Sequence, residues 1–202
     1  MKKNIDTLVV YAPIIKSEIG PLYPTERYLE VTKCKSEKTK REKYSVWKLL
    51  EKVVTEELKL DFANLQFTKT DNGKWICPEF CFSLSHTDNL VSVAVSPFLV
   101  GVDVELVRPI REEIGRKILT DSEAEYMRAL PQTVRGRYLL ECWVRKESIF
   151  KKEGQKALLP CSFRADTCPT QLHTLKYCGE EYIISVCTDE GNKTKFIYME
   201  EI

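Results

Sequence analysis

The sequence predicts an α+β fold of two similar lobes, each a small antiparallel sheet packed with helices. Three observations lead there. Segments of helical period and segments of strand period are both present but segregated rather than alternating. Two stretches, His86–Ser96 and Cys178–Thr188, read alike: a polar turn, then an alternating strand with Ser-Val at its centre. The chain of 202 residues is also long enough for two small lobes. The division is expected at 1–102 and 103–202.

The elements follow in order. Thr7 to Ala12 is β-rich and reads as a strand. Residues 13–24 hold three prolines and a glycine and read as loop. From Thr25 to about Lys59 apolar residues recur at helical spacing, Tyr44, Trp47, Leu50, Val54 and Leu58 among them, interrupted over 33–43 by a charged segment that is a break or a helix start. Phe62 to Thr70 alternates, and Asp71-Asn72-Gly73 makes a turn. Cys81–His86, Leu90–Val95 and Leu99–Leu106 read as three strands joined by short turns, hence an antiparallel meander. Arg111–Leu119 suits a helix. Thr120 and Asp121 can cap a second that runs to about Leu130, with Glu123 placed for the reciprocal bond of a capping box. A long helix covers Val134 to Lys152 and ends at Gly154. Strands are expected from Phe163, over Gln171–Tyr177, Tyr182–Thr188 and Lys195–Met199.

Composition limits the function classes. The chain is 43% apolar and 30% charged, as a globular protein is. The net charge of +1 gives no global field for nucleic acid. Lys and Arg crowd residues 33–59, read either as a solvated helix face or as a basic stripe. No stretch approaches the roughly 20 apolar residues of a membrane span. Met-Lys-Lys-Asn-Ile-Asp is followed by no cleavage pattern, so the protein is expected in the cytoplasm, as a monomer, away from membrane and nucleic acid. Eight cysteines without a C-x-x-C pair, and two histidines, speak against zinc. The thiols are expected to serve as small side chains in a reducing compartment.

The chemistry centres on Gly101-Val102-Asp103-Val104-Glu105. On a strand, Asp103 and Glu105 leave one face while Val102 and Val104 enter the core. The acids are either a solvated strand edge or ligands of a hard cation such as Mg²⁺. A second stretch, Trp143-Val-Arg-Lys146-Glu147-Ser-Ile-Phe-Lys151, puts Trp143, Glu147 and Lys151 on one helix face. It is either a surface ion pair or the source of the third carboxylate that the strand pair lacks. In a third, Phe82-Ser83-Leu84-Ser85-His86, the histidine is either a structural residue or a cation or donor near a phosphate. Asn72-Gly73-Lys74-Trp75 presents a lysine on a turn without being a Walker loop.

These stretches together, F-S-x-S-H, G-V-D-V-E and W-x-x-K-E-S-x-x-K in this order, resemble the 4′-phosphopantetheinyl transferases. The resemblance is to the larger, two-lobed, surfactin-synthetase-activating type and covers roughly residues 40–190. It implies transfer of the phosphopantetheine arm of coenzyme A to a serine of an acyl or peptidyl carrier protein, releasing 3′,5′-ADP. It implies Mg²⁺, with Mn²⁺ possible in its place, on Asp103, Glu105 and Glu147. Catalysis would fall to Glu147, Lys151 and Asp103, with Glu147 as ligand, base or both. Lys151 would contact the pyrophosphate. Lys74, Ser85, His86, Arg41 and Lys43 would bind the 3′-phosphate side of coenzyme A. Glu123 matches a family acid, or is only a capping-box residue. Two departures stand out: Trp75 where the family often has proline, and Ser83 where it often has asparagine. Another Mg²⁺-dependent phosphotransfer enzyme, or a non-catalytic nucleotide-binding relative, is the alternative.

Overall fold

The computed structural model describes residues 7–189 and 193–202; the N-terminal stretch read above as carrying no leader lies outside them. Strand β1 (Thr7–Pro13) leads through a loop to helices α1 (Thr25–Thr32) and α2 (Glu37–Glu56). The charged segment at 33–43, read as a break or a helix start, holds both. Ser36 accepts the Thr39 N–H and starts α2 there, so the lysine-rich residues are already helix. Several of those cations are paired: Lys38 with Asp88, Lys40 with Glu37 and Lys48 with Glu51. The run is thus a solvated face laced with acids.

A two-residue pair, β2 (Thr68–Lys69) and β3 (Trp75–Ile76), flanks the Asp71-Asn72-Gly73 turn. Gly73 has φ +82, which glycine adopts at little cost. Strands β4 (Cys81–Thr87) and β5 (Leu90–Ser96) form the expected hairpin. The meander stops there. Strand β6 (Gly101–Leu106) pairs with β8 (Glu180–Cys187), and β8 with β7 (Thr170–Tyr177), in a second sheet of order β6-β8-β7. The first sheet has order β4-β5-β1-β9, where β9 (Thr194–Tyr198) runs parallel to β1. A strand from beyond residue 103 therefore completes the first sheet.

Serine explains why β6 leaves β5. Its Val102 and Val104 N–H groups donate to the Ser83 and Ser85 hydroxyls of β4, at 3.0 and 3.2 Å. Two serines at i and i+2 match two amides at i and i+2, so side chains on β4 satisfy this edge of β6.

Strand alternation builds the layers. Val10 and Ala12 of β1 face α2, in a core holding Trp47, Leu50, Val53 and Phe82. Val9 and Tyr11 face the other way, onto Val102, Val104, Ile184 and Val186 of the second sheet. Long helix α5 (Gln132–Glu153) covers the far side of that sheet through Leu140, Val144 and Ile183. The order is α2, first sheet, second sheet, α5. Asp103 and Glu105, opposite in phase to the buried valines, consequently face α5.

Before α5 the chain makes short α3 (Gly115–Ile118) and α4 (Asp121–Ala129). The capping box at Thr120 and Glu123 is present. Phe163 does not start a strand; it follows a short 3₁₀ turn, Pro160–Ser162. Its ring lies 5.6 Å from the Lys146 ammonium, and the nearby Ala165 N–H donates to Glu123. Side-chain partners replace the ladder there.

Candidate active site

The site depends first on how closely β6 approaches α5. A Cβ placed on Gly101 would lie 1.9 Å from the Ser148 carbonyl oxygen and 2.5 Å from the Lys152 nitrogen. Both are backbone atoms, so only glycine fits. One turn of α5 separates Glu147 from Lys151, and both stand beside the acidic face of β6.

Asp103 is 5% exposed. Its Oδ1 accepts the Ser85 hydroxyl at 2.8 Å and the Lys151 ammonium at 2.7 Å. Its Oδ2 is buried with no hydrogen-bond partner. Ser85 therefore does two things: it satisfies an amide of β6 and orients the carboxylate. Glu105 accepts the Trp143 indole N–H at 3.0 Å. Burial and the neighbouring Asp103 charge raise its pKa. Glu147 is pushed up to about 7, by burial first and then by the Asp103 charge, with Glu105 adding to it against Lys151. Lys151 turns to Asp103 rather than pairing with Glu147 along the helix. The charge of Asp103 thus acts on Glu105, its neighbour on the strand face, and on Glu147 across from it.

Among the described residues, no three His, Cys, Asp or Glu side chains are gathered closely enough to hold a metal ion. Lys151 takes one oxygen of Asp103 and Trp143 takes one of Glu105. The donor chemistry nevertheless fits a hard cation. The Asp103 charge raises the pKa of both Glu105 and Glu147, and a buried oxygen of Asp103 lacks a partner.

Two hollows flank this acidic centre. One, about 280 Å³, is lined by Gly73, Lys74, Trp75, Ser83, Lys151 and Lys156. The other, about 810 Å³, is lined by Glu105 and Glu147 together with Arg108, Ile114, Lys117 and Trp143. The first is rich in lysine; the second joins apolar and cationic side chains to two of the acids.

The remaining predicted residues divide. Lys74 lies in the first hollow, but its ammonium donates to the Lys151 carbonyl at 2.6 Å, at the C-terminal end of α5. There it meets unpaired carbonyls and the negative end of the helix. Asn72 docks the same turn by donating to the Gly154 carbonyl. The His86 side chain is 35% exposed and stands 3.4 Å from Glu42. Burial, with the positive charges of Lys151, Arg27 and Lys43, lowers its pKa to about 4. Near neutral pH it is an uncharged donor or acceptor, not the cation the sequence allowed. Arg41 donates to the Lys16 and Ser17 carbonyls and lines a different cavity, with Lys38 and Asp88. Lys43 pairs with Glu30.

Lys146, inside the W-x-x-K-E stretch, is fully buried. Its three donors reach the Ile118 carbonyl at 2.8 Å, the Pro160 carbonyl at 2.9 Å and Glu123 at 2.5 Å. Burial pushes the Glu123 pKa up, but Lys146 and the Ala165 and Thr120 N–H groups outweigh it and hold the acid below its usual range. Glu123 thus ties α4, α5 and the segment after Pro160 together. Sequence reading missed this pair, the close approach at Gly101 and the Glu30 cluster. A lysine between Trp143 and Glu147 was a readable signal, because helical spacing puts it on another face than theirs.

The sequence is similar to those of known proteins. A sequence model of the 4′-phosphopantetheinyl transferase superfamily matches residues 99–197, a segment that holds all three carboxylates. The chain is 28% identical over 115 residues to the 4′-phosphopantetheinyl transferase Sfp of Bacillus subtilis (strain 168), covering 55% of this chain and 51% of that protein. It is 27% identical over 157 residues to the transferase ffp of Bacillus subtilis, covering 76% and 66%. It is 29% identical over 125 residues to the transferase gsp of Aneurinibacillus migulanus, covering 61% and 53%. Over residues 99–197 the chain is similar to the 4′-phosphopantetheinyl transferase superfamily. Within it the similarity is to the Sfp type, and the chain spans about half the length of the curated relatives it matches.

Proposed function

We propose that this protein transfers the 4′-phosphopantetheine arm of coenzyme A to a serine hydroxyl of an acyl or peptidyl carrier protein. One observation carries the reading: Asp103, Glu105 and Glu147 lie between a lysine-lined hollow and an apolar, cationic one. An anionic donor fits the first. The second suits a protein partner, because apolar side chains there are ringed by Arg108, Arg111 and Lys117.

Asp103, Glu105 and Glu147 are the residues that would hold Mg²⁺, or Mn²⁺ in its place. When bound, the metal supplies charge neutralisation at the pyrophosphate. The protein's own groups do the rest. Lys151 and Lys74 add positive charge beside the donor hollow. Ser85 fixes Asp103, and Trp143 fixes Glu105. The carrier serine oxygen bonds to the phosphorus that bears the pantetheine arm, and 3′,5′-ADP leaves. The serine proton goes to Glu147 or to water. Most of the catalysis is positioning and electrostatic stabilisation.

The test is incubation with coenzyme A and a panel of apo carrier proteins, followed by mass spectrometry. The expected result is a mass gain equal to the arm, dependent on divalent metal. No gain on any carrier overturns the proposal and favours another phosphotransfer or a nucleotide-binding role. Asp103→Asn and Glu147→Gln should each abolish transfer while leaving cooperative unfolding intact. Near-normal transfer by either would remove that residue from the assigned set.

A further inference from the structure

One charged cluster near the donor hollow is unused by this mechanism. Glu30, on α1, receives four donors on two oxygens. Oε1 takes Arg27 Nη1 at 3.2 Å and Lys43 Nζ at 3.2 Å. Oε2 takes Lys69 Nζ at 3.1 Å and the Trp75 indole N–H at 3.1 Å. The sum is three cations around one carboxylate, an excess of two positive charges. Arg27 is 4% exposed, sits 4.9 Å above the Trp47 ring and donates to the Lys43 carbonyl, so the cluster is anchored in the core.

The cluster borders the place where the nucleotide end of the donor would lie. Trp75 lines the hollow that also holds Lys74 and Lys151, and it is the residue whose N–H reaches Glu30. The Lys69 ammonium lies 5.8 Å from the same indole ring. Arg27, Lys43 and Lys151 are all near enough to His86 to act on its charge. A phosphate monoester carries about −1.5 to −2 near neutral pH, which matches the excess. Its natural donors there, Lys43, Lys69 and the indole N–H, are already aimed at Glu30.

We propose that Glu30 is a built-in counter-anion that competes with the 3′-phosphate of the donor for Lys43, Lys69 and the Trp75 N–H. It thereby sets how strongly the protein distinguishes coenzyme A from 3′-dephospho-coenzyme A. This rests on the function proposed above. The carboxylate holds the cluster nearly complete without ligand, so the phosphate gains less than an open cationic site would give it.

The test measures binding and transfer separately. Calorimetry on the full chain with coenzyme A, 3′-dephospho-coenzyme A and 3′,5′-ADP should show wild-type discrimination below about tenfold. In Glu30→Gln, affinity for coenzyme A and 3′,5′-ADP should rise on the order of tenfold, as loss of one negative charge beside a dianion predicts. Affinity for the dephospho form should not move. Equal changes for the two coenzymes, or weaker binding of the phosphorylated ones, overturn the proposal; a purely structural role would produce the former. If Glu30→Gln fails to unfold cooperatively, Lys69→Met decides. It keeps the Arg27–Glu30 pair and should weaken coenzyme A severalfold while sparing the dephospho form. Parallel losses there overturn the proposal too. Transfer from neither coenzyme to any carrier would strike the proposed function, whereas transfer with an unshifted ratio strikes this inference alone.

Discussion

Replacing Gly101 by alanine tests the central geometry. The added Cβ would lie 1.9 Å from the Ser148 carbonyl oxygen, against the 3.4 Å of ordinary contact. Strand β6 and helix α5 would have to separate by roughly 1.5 Å, because neither colliding group is a side chain that can swing away. Overpacking typically costs about 1–3 kcal/mol, and backbone against backbone belongs at the upper end. About 3 kcal/mol in a chain of this size lowers the melting temperature by roughly 6–12 °C. The displacement also falls between Asp103 and the Glu147–Lys151 turn. A misplacement of about 1 Å can cost on the order of 100-fold in rate, so transfer should fall at least that far. Thermal and urea unfolding give the folded fraction, and carrier modification is then measured at a temperature where the variant remains folded. A variant with wild-type melting and wild-type transfer would refute the claim that this contact sets the site.

Three further outcomes follow from other contacts. Lys146→Met strands Glu123 in a buried position and should cost about 3–5 kcal/mol by urea unfolding; adding Glu123→Gln should recover part of it, and no recovery would deny the pairing. Ser83→Ala leaves the buried Val102 N–H without its acceptor and should cost about 1–3 kcal/mol, with little effect on the acids themselves. For Glu30, burial raises the pKa, but Arg27, Lys69, Trp75 and Lys43 outweigh it and lower the acid to about 2. A depressed acid contributes stability above its unfolded value near 4.5 and loses it as pH falls toward 2, so that contribution of about 2–3 kcal/mol should vanish across that window. Glu30→Gln should flatten that acid limb; an unchanged slope would show that the cluster does not act on the carboxylate.

The sequence carried much of this structure because period and punctuation are local. Thr7–Pro13, the 81–96 hairpin, the box at Thr120 and the stop at Gly154 were all legible from a few neighbouring residues. Asp103 and Glu105 were legible as a pair sharing a face for the same reason. What failed was non-local. Short turns suggested that β6 would pair with β5, but the serines of β4 compete for its amides, and only the fold shows them in range. Phe163 has strand character, yet Lys146 and Glu123 supply its neighbourhood with other partners. Among the cations, spacing could place Lys151 near the acids but could not show that Arg41 turns to the Lys16 carbonyl or that Lys43 meets Glu30. The direction of a long flexible side chain is decided by tertiary neighbours.

The parallel pairing of β1 with β9 sets an order of events for the growing polypeptide. Tyr11 accepts the Met199 N–H and Thr7 donates to the Lys193 carbonyl, so residues from the two ends of the described chain form one ladder. The first sheet therefore cannot close during translation until almost all of these residues have left the ribosome. Until then one edge of β1 stays open, offering the unpaired amides on which strands from other molecules add. Its closure pairs residues far apart in sequence, Thr7 with Thr194, which places this step among the slower ones in folding.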